Sequence, residues 1–133
     1  MRRLARIPRS LPQHERKPQP WVRSRNHLDW VGTLSCLGCG RRPPCHPAHI
    51  RIMTDGAAGR KPSDFYAVPL CPQCHLAEQH QYGERTFWAS RMEQGISDPW
   101  SVAARLWTIS GDTNRGFAAI AKARPGLQTA WAA

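Results

Sequence analysis

Four cysteines stand in two pairs, Cys36-Leu37-Gly38-Cys39 and Cys71-Pro72-Gln73-Cys74, and the second pair runs directly into His75. Thiolates at this spacing bind zinc, and two such pairs supply the four ligands of one tetrahedral site. A four-thiolate site is closed, so its zinc staples the chain and does not itself activate water. Gly40, just after the first pair, lets the backbone turn tightly round the metal. Neither pair falls in a βαβ pattern, which argues against a redox dithiol. The fifth cysteine, Cys45, reads as a small buried hydrophobe.

Histidines near this frame carry the second kind of chemistry. His49 lies between the pairs in Pro47-Ala48-His49-Ile50-Arg51, and His75 follows a zinc ligand directly. An imidazole that titrates near neutrality takes a proton from water. An imidazole at a helix start can bind a divalent ion whose other ligands are phosphate oxygens. Together the two form a hydrolytic pair for a phosphodiester, with the frame holding both toward one cleft. His80, just over a turn beyond His75, and His46 are further candidates for that ion. Arg51, Arg60 and Lys61 flank the same segment and suit phosphate.

These groups need elements to hold them. Residues 47–52 alternate in character and read as a strand. Residues 53–63 carry two glycines, a proline and two adjacent cations, and read as a loop. Residues 65–70 read as a second strand, with Pro69 placing it at an edge or an end. A helix is expected from Cys74 until Gly83 stops it, and another over 84–94 with Phe87, Trp88 and Met92 at helical spacing. Ser97-Asp98-Pro99 reads as an N-cap for a helix over 100–109, with Val102, Ala103, Leu106 and Trp107 facing inward. A weaker helix is expected over 113–123. The order is strand, loop, strand, helix and then further helices, an α+β arrangement whose aromatic residues form the core.

Composition sets the partner. Nineteen Lys+Arg against nine Asp+Glu give a net charge of +10 in 133 residues, and most of the cations are arginine. Arginine's planar fork makes bidentate bonds to phosphate, so the expected polyanion is nucleic acid. Residues 1–25 hold eight cations, one acid and four prolines, and read as an extended or disordered basic arm able to lie on phosphates. Residues 26–125 form the expected zinc-stabilised domain and 126–133 a frayed tail. An apolar leader and a run of about 18 apolar residues are both missing, so the expected location is the cytoplasm, with no membrane partner.

The ordered set Cys36-x-x-Cys39, Pro47-Ala48-His49-Ile50-Arg51, Lys61-Pro62-Ser63-Asp64, Val68-Pro69-Leu70-Cys71-x-x-Cys74-His75, Gly83-Glu84 and Phe87-Trp88 resembles the HNH (ββα-metal) endonucleases. The likeness covers about residues 34–90 and is strongest to the phage and prophage branch that includes the Ref recombination-enhancement nucleases. It implies a small treble-clef-like ββα-metal domain, a structural Zn²⁺, a catalytic divalent metal such as Mg²⁺ or Mn²⁺, and DNA as substrate. A recombination protein is a possible partner. The resemblance makes His49 the general base and His75, with His80, ligands of the catalytic ion. Asp64 stands for the asparagine that relatives carry, either binding the metal or orienting His49. Where many relatives place a metal-binding Asp or His before the base, this chain has Ala48. The alternative reading is a zinc-stabilised DNA-binding module that does not cut.

Overall fold

The computed structural model describes residues 21–126 apart from positions 58 and 82. Residues 1–20 of the expected arm and most of the expected tail lie outside the described residues. The fold begins before the expected boundary at residue 25. Arg23 donates to the Pro62 and Lys61 carbonyls at 2.6 and 3.0 Å, and the Val22 N–H reaches Ser63 Oγ at 2.9 Å.

Helix α1 (Arg25–Val31) has no counterpart among the elements expected from sequence. Ser24 caps it by accepting from the His27 N–H, and it buries His27, Trp30 and Val31. Seven residues are too few to hold a helix in isolation, so packing holds it. A Cβ on Gly116 would stand 2.7 Å from Trp30 and 2.8 Å from Leu34, which shows how closely the C-terminal helix lies against this one.

Strand β1 (His46–His49) pairs antiparallel with β2 (Ala67–Leu70), with His46 opposite Leu70 and His49 opposite Ala67. Both strands are shorter than expected, for a local reason. The Ile50 N–H still reaches Tyr66 O at 2.9 Å, but the Arg51 N–H goes to the Glu84 carboxylate at 2.6 Å, and the ladder stops. Across the hairpin, Asp64–Tyr66 coil into a 3-10 turn in place of strand. Asp55 closes the intervening loop by accepting from the Ser63 N–H and hydroxyl.

Helix α2 (Pro72–Leu76) starts within the second cysteine pair, with Cys71 as its N-cap and Pro72 in its first turn. It widens into a π turn (Ala77–Gln81). Gly83, at φ 83°, breaks the run as expected before α3 (Glu84–Glu93). Helix α4 (Pro99–Thr108) is capped by Asp98, whose carboxylate accepts the Ser101 N–H at 2.7 Å. Helix α5 (Thr113–Ala123) completes the chain, and buried Arg124 donates to Leu37 O at 2.8 Å, tying it to the first cysteine pair.

One core runs through all of these elements and includes Val31, Leu34, Leu37, Ile50, Val68, Leu70, Phe87, Trp88 and Leu106. Two expected core residues stand at its edge. Trp107 is 38% exposed, its indole set edge-on against His27 at 4.8 Å, and Met92 is 37% exposed. Trp107 follows Leu106 by one residue, about 100° round the helix, and so leaves the face that Val102, Ala103 and Leu106 bury. Among the described residues, no helix is long and apolar enough to cross a membrane.

Candidate metal centre and hydrolytic site

The two cysteine pairs meet. The Sγ atoms of Cys36, Cys39, Cys71 and Cys74 all lie within 4.8 Å of one another, and Cys39 and Cys71 are 3.7 Å apart. A zinc–sulfur bond of about 2.3 Å implies a tetrahedral edge of about 3.8 Å, so the four thiols fit one zinc. The first pair sits in a turn closed by Gly40 N–H to Cys36 O at 2.8 Å, with Gly40 at φ 81°. Gly38 is equally constrained, since a Cβ there would stand 2.9 Å from Cys74 Sγ. The second pair brackets the start of α2, and the Cys74 N–H points at Cys71 Sγ from 3.4 Å.

Hydrogen bonds from Cys39, Cys45 and Cys74 hold Cys36 well below the usual thiol range. The same bond pushes Cys39 up to about 11, and bonding to Cys36, with burial, raises Cys45 and Cys74. Cys45 is buried, as expected.

The second constellation is built on the hairpin. His49 ends β1 with its ring nine-tenths buried, and its Nε2 lies 2.8 Å from Asp64 Oδ1. Asp64 is held in turn. Its other oxygen accepts the Ser24 N–H at 2.7 Å, and Arg23 Nη1 stands 3.4 Å from Oδ1. Burial alone would raise the Asp64 carboxyl. The hydrogen bonds from His49 and Ser24 and the nearby positive charge outweigh it and leave the group below the usual carboxylate range. An ionised Asp64 accepts only, so it fixes the proton on Nε2 and leaves Nδ1 as the nitrogen that takes a proton.

His49 opens onto a cavity of about 300 Å³ lined by Arg51, Glu78, Gln79 and Glu84 as well. Glu84 is clamped to the hairpin by the Arg51 and Ile52 N–H groups, and burial raises its carboxyl. Glu78 is buried and accepts from Trp88 Nε1 at 3.3 Å. Burial, then the charge of Glu84, push Glu78 up to about 7. Residue spacing singles out neither glutamate. In the sequence Glu78 reads as an ordinary helix-surface acid, and only the Gly83-Glu84 step hints at a special position.

The remaining expected residues divide. Arg51 reaches the His49 cavity. Arg60 and Lys61 stay exposed on the loop, with the Arg60 guanidinium 4.3 Å from the Trp21 ring centre. His75 does not join His49 as expected. Its Nδ1 lies 3.0 Å from Nδ1 of His46, the residue at the opposite end of β1 from His49. At about 3.3 Å per residue the two ends are about 10 Å apart. His80 falls in the π turn, and its side chain lies outside the described residues. Among the described residues, the four cysteines form the one group of three or more donors placed to share a metal.

The profile of DUF968, a protein family of unknown function, matches residues 10–91. No curated protein and no solved structure matches the chain. The match covers more than half of the chain, so the chain belongs to the DUF968 family. The matched stretch holds both cysteine pairs, the hairpin and the His49–Asp64 pair, and it ends within α3.

Proposed function

We propose that this member of the DUF968 family is a zinc-stapled, divalent-metal-dependent DNA endonuclease of the HNH type. The observation that carries the reading is the 2.8 Å contact between His49 Nε2 and the buried, ionised Asp64. An imidazole that lines a polar cavity and has one nitrogen held by a carboxylate has the makings of a general base for a bound water. In this scheme His49 Nδ1 removes the proton from water, the resulting hydroxide attacks phosphorus, and the 3′ or 5′ oxygen departs. Asp64 keeps the ring in the required tautomer and stabilises the imidazolium that forms. Arg51 at the cavity mouth holds the phosphate.

A bound divalent cation supplies charge neutralisation at the phosphorane and the leaving oxygen. Glu78 and Glu84 are hard oxygen donors in the same cavity and fit such an ion better than His75 does. Were such a cation bound by these two carboxylates, water and phosphate oxygens would complete its shell. The charge of +10 supports a nucleic-acid substrate, and a phage or prophage DNA-processing role follows from the resemblance.

One observation favours a second reading. The four cysteines are the single multi-donor metal group among the described residues, as in a zinc-stabilised DNA-binding module without catalysis. Nicking of supercoiled plasmid by pure protein separates the two. The nuclease reading requires relaxed circles that appear with Mg²⁺ or Mn²⁺ and disappear with chelator, and the module reading requires binding with no cleavage under any divalent ion.

A further inference from the structure

Helices α4 and α5 enclose a cavity of about 370 Å³, lined by residues 97–123 and so distinct from the cavity at His49. We propose that this cavity is a docking groove for an acidic peptide segment of a partner protein, anchored by one large apolar side chain. The inference does not rest on the nuclease reading.

The groove follows from residue spacing on the two helices. Ser97, Ser101 and Arg105 recur every four positions on one wall, and Arg115, Ala119 and Lys122 recur at helical spacing on the other. The Ser97 N–H donates to Ala123 O at 2.9 Å and ties the start of α4 to the end of α5. Buried Val102 and Ala123, with half-buried Ala119, make an apolar floor. Arg105, Arg115 and Lys122 stand exposed around it, and no carboxylate lines the cavity. The cap residues of the two helices do not neutralise this rim. Asp98 is turned to the Ser101 N–H and hydroxyl at 2.7 and 2.8 Å, and Asp112 meets Arg115 only in an exposed pair at 3.6 Å, which is worth little. Among the described residues, Arg105 and Lys122 pair with no carboxylate. An apolar floor inside a cationic rim selects a ligand that is apolar at its centre and anionic around it. A peptide with carboxylates on both sides of a phenylalanine or leucine meets both conditions. A DNA backbone meets only the second, because its phosphates are held by cations, hydroxyls and N–H groups and it has no side chain to fill the floor.

The test is fluorescence anisotropy of a labelled aspartate-rich peptide with one central phenylalanine, titrated with the full-length, zinc-loaded protein. The same peptide with serine in place of phenylalanine and a labelled DNA duplex are titrated beside it. The phenylalanine peptide is expected to bind about tenfold more tightly than the serine peptide, since burial of one large apolar side chain is worth at least that much. Arg105→Glu combined with Lys122→Glu should weaken it about tenfold, and added salt should do the same. Ala118→Phe, at an exposed position that lines the cavity, should erase the preference for phenylalanine. The exposed charge variant carries the test if the Ala118 variant fails to fold. His49→Ala should bind both peptides as the wild type does. Equal affinity for the two peptides in the wild type would overturn the inference, leaving general attraction to a basic protein. So would a phenylalanine preference that survives in Ala118→Phe, or full affinity in the charge variant. A duplex that weakens about tenfold in the charge variant while the two peptides bind alike would assign the groove to nucleic acid instead. None of these outcomes depends on whether DNA is cut.

Discussion

Asp64 reaches His49 across the hairpin, Oδ1 to Nε2 at 2.8 Å, while its second oxygen accepts the Ser24 N–H at 2.7 Å. One carboxylate thus joins the last residue of β1 to the residue that caps α1. Its position fixes both the tautomer of His49 and the entry of the chain into the fold.

Asp64→Asn should therefore act through His49. The amide can present an N–H where an anionic acceptor stood, so the ring loses its fixed tautomer and the stabilisation of its charged form. Positioning partners of this kind are worth about 10–100-fold. Cleavage is expected to fall by that amount with DNA affinity and zinc content unchanged. A wild-type rate in this variant would show that Asp64 serves α1 alone.

Local signals are legible in the residues themselves. The cysteine pairs meet because their spacing encodes the site, and Asp98 caps α4 because Ser97-Asp98-Pro99 is a local signal. Features that rest on distant partners are not legible in this way. Strand β1 ends where the Glu84 side chain takes the Arg51 N–H from 33 positions away. Helix α1 is too short to announce itself and is held by the close approach of Gly116. The pairing of His75 with His46 depends on where α2 starts relative to β1, and residue spacing alone carries no such distance.

The thiolate centre should behave as a folding unit. Structural zinc binding energy is folding energy. Cys71→Ser is expected to lose zinc and cooperative unfolding together, and a chelator should do the same to the wild type. Cys45→Ala should keep one zinc per chain, because Cys45 stands outside the four-thiol group. Elemental analysis after dialysis checks both. A folded Cys71→Ser protein without metal would show that zinc does not hold the fold.

Glu78 gives a pH dependence whose sign is set. Its folded pKa is raised from 4.5 to about 7, so the folded state holds a proton that the unfolded chain has released. The stabilisation is fully present below about 4.5 and is lost as pH rises through about 7. Between pH 5.5 and 8 the zinc-loaded wild type should lose stability relative to Glu78→Gln, which keeps the same shape without titrating. Urea midpoints for the two proteins across that range test it, and parallel curves would show that Glu78 is ionised throughout.

The arm should supply affinity that ignores sequence. Each phosphate neutralised contributes about −0.9 to the slope of log affinity against log salt on duplex DNA. Removal of residues 1–20, which hold Arg2, Arg3, Arg6, Arg9, Arg16 and Lys17, should flatten that slope by several units and leave the zinc in place. An unchanged slope would make the arm a bystander.

The central claim is that His49 activates water, and the most direct measurement is the single-turnover nicking rate of supercoiled plasmid by pure wild type and His49→Ala under saturating Mg²⁺ or Mn²⁺. Loss of a general base costs about 10²–10⁴ in rate. A fall of that size is predicted for His49→Ala, with DNA binding and zinc content equal to wild type. Equal cleavage rates in the two proteins, or no cleavage by the wild type with any divalent metal, would contradict it.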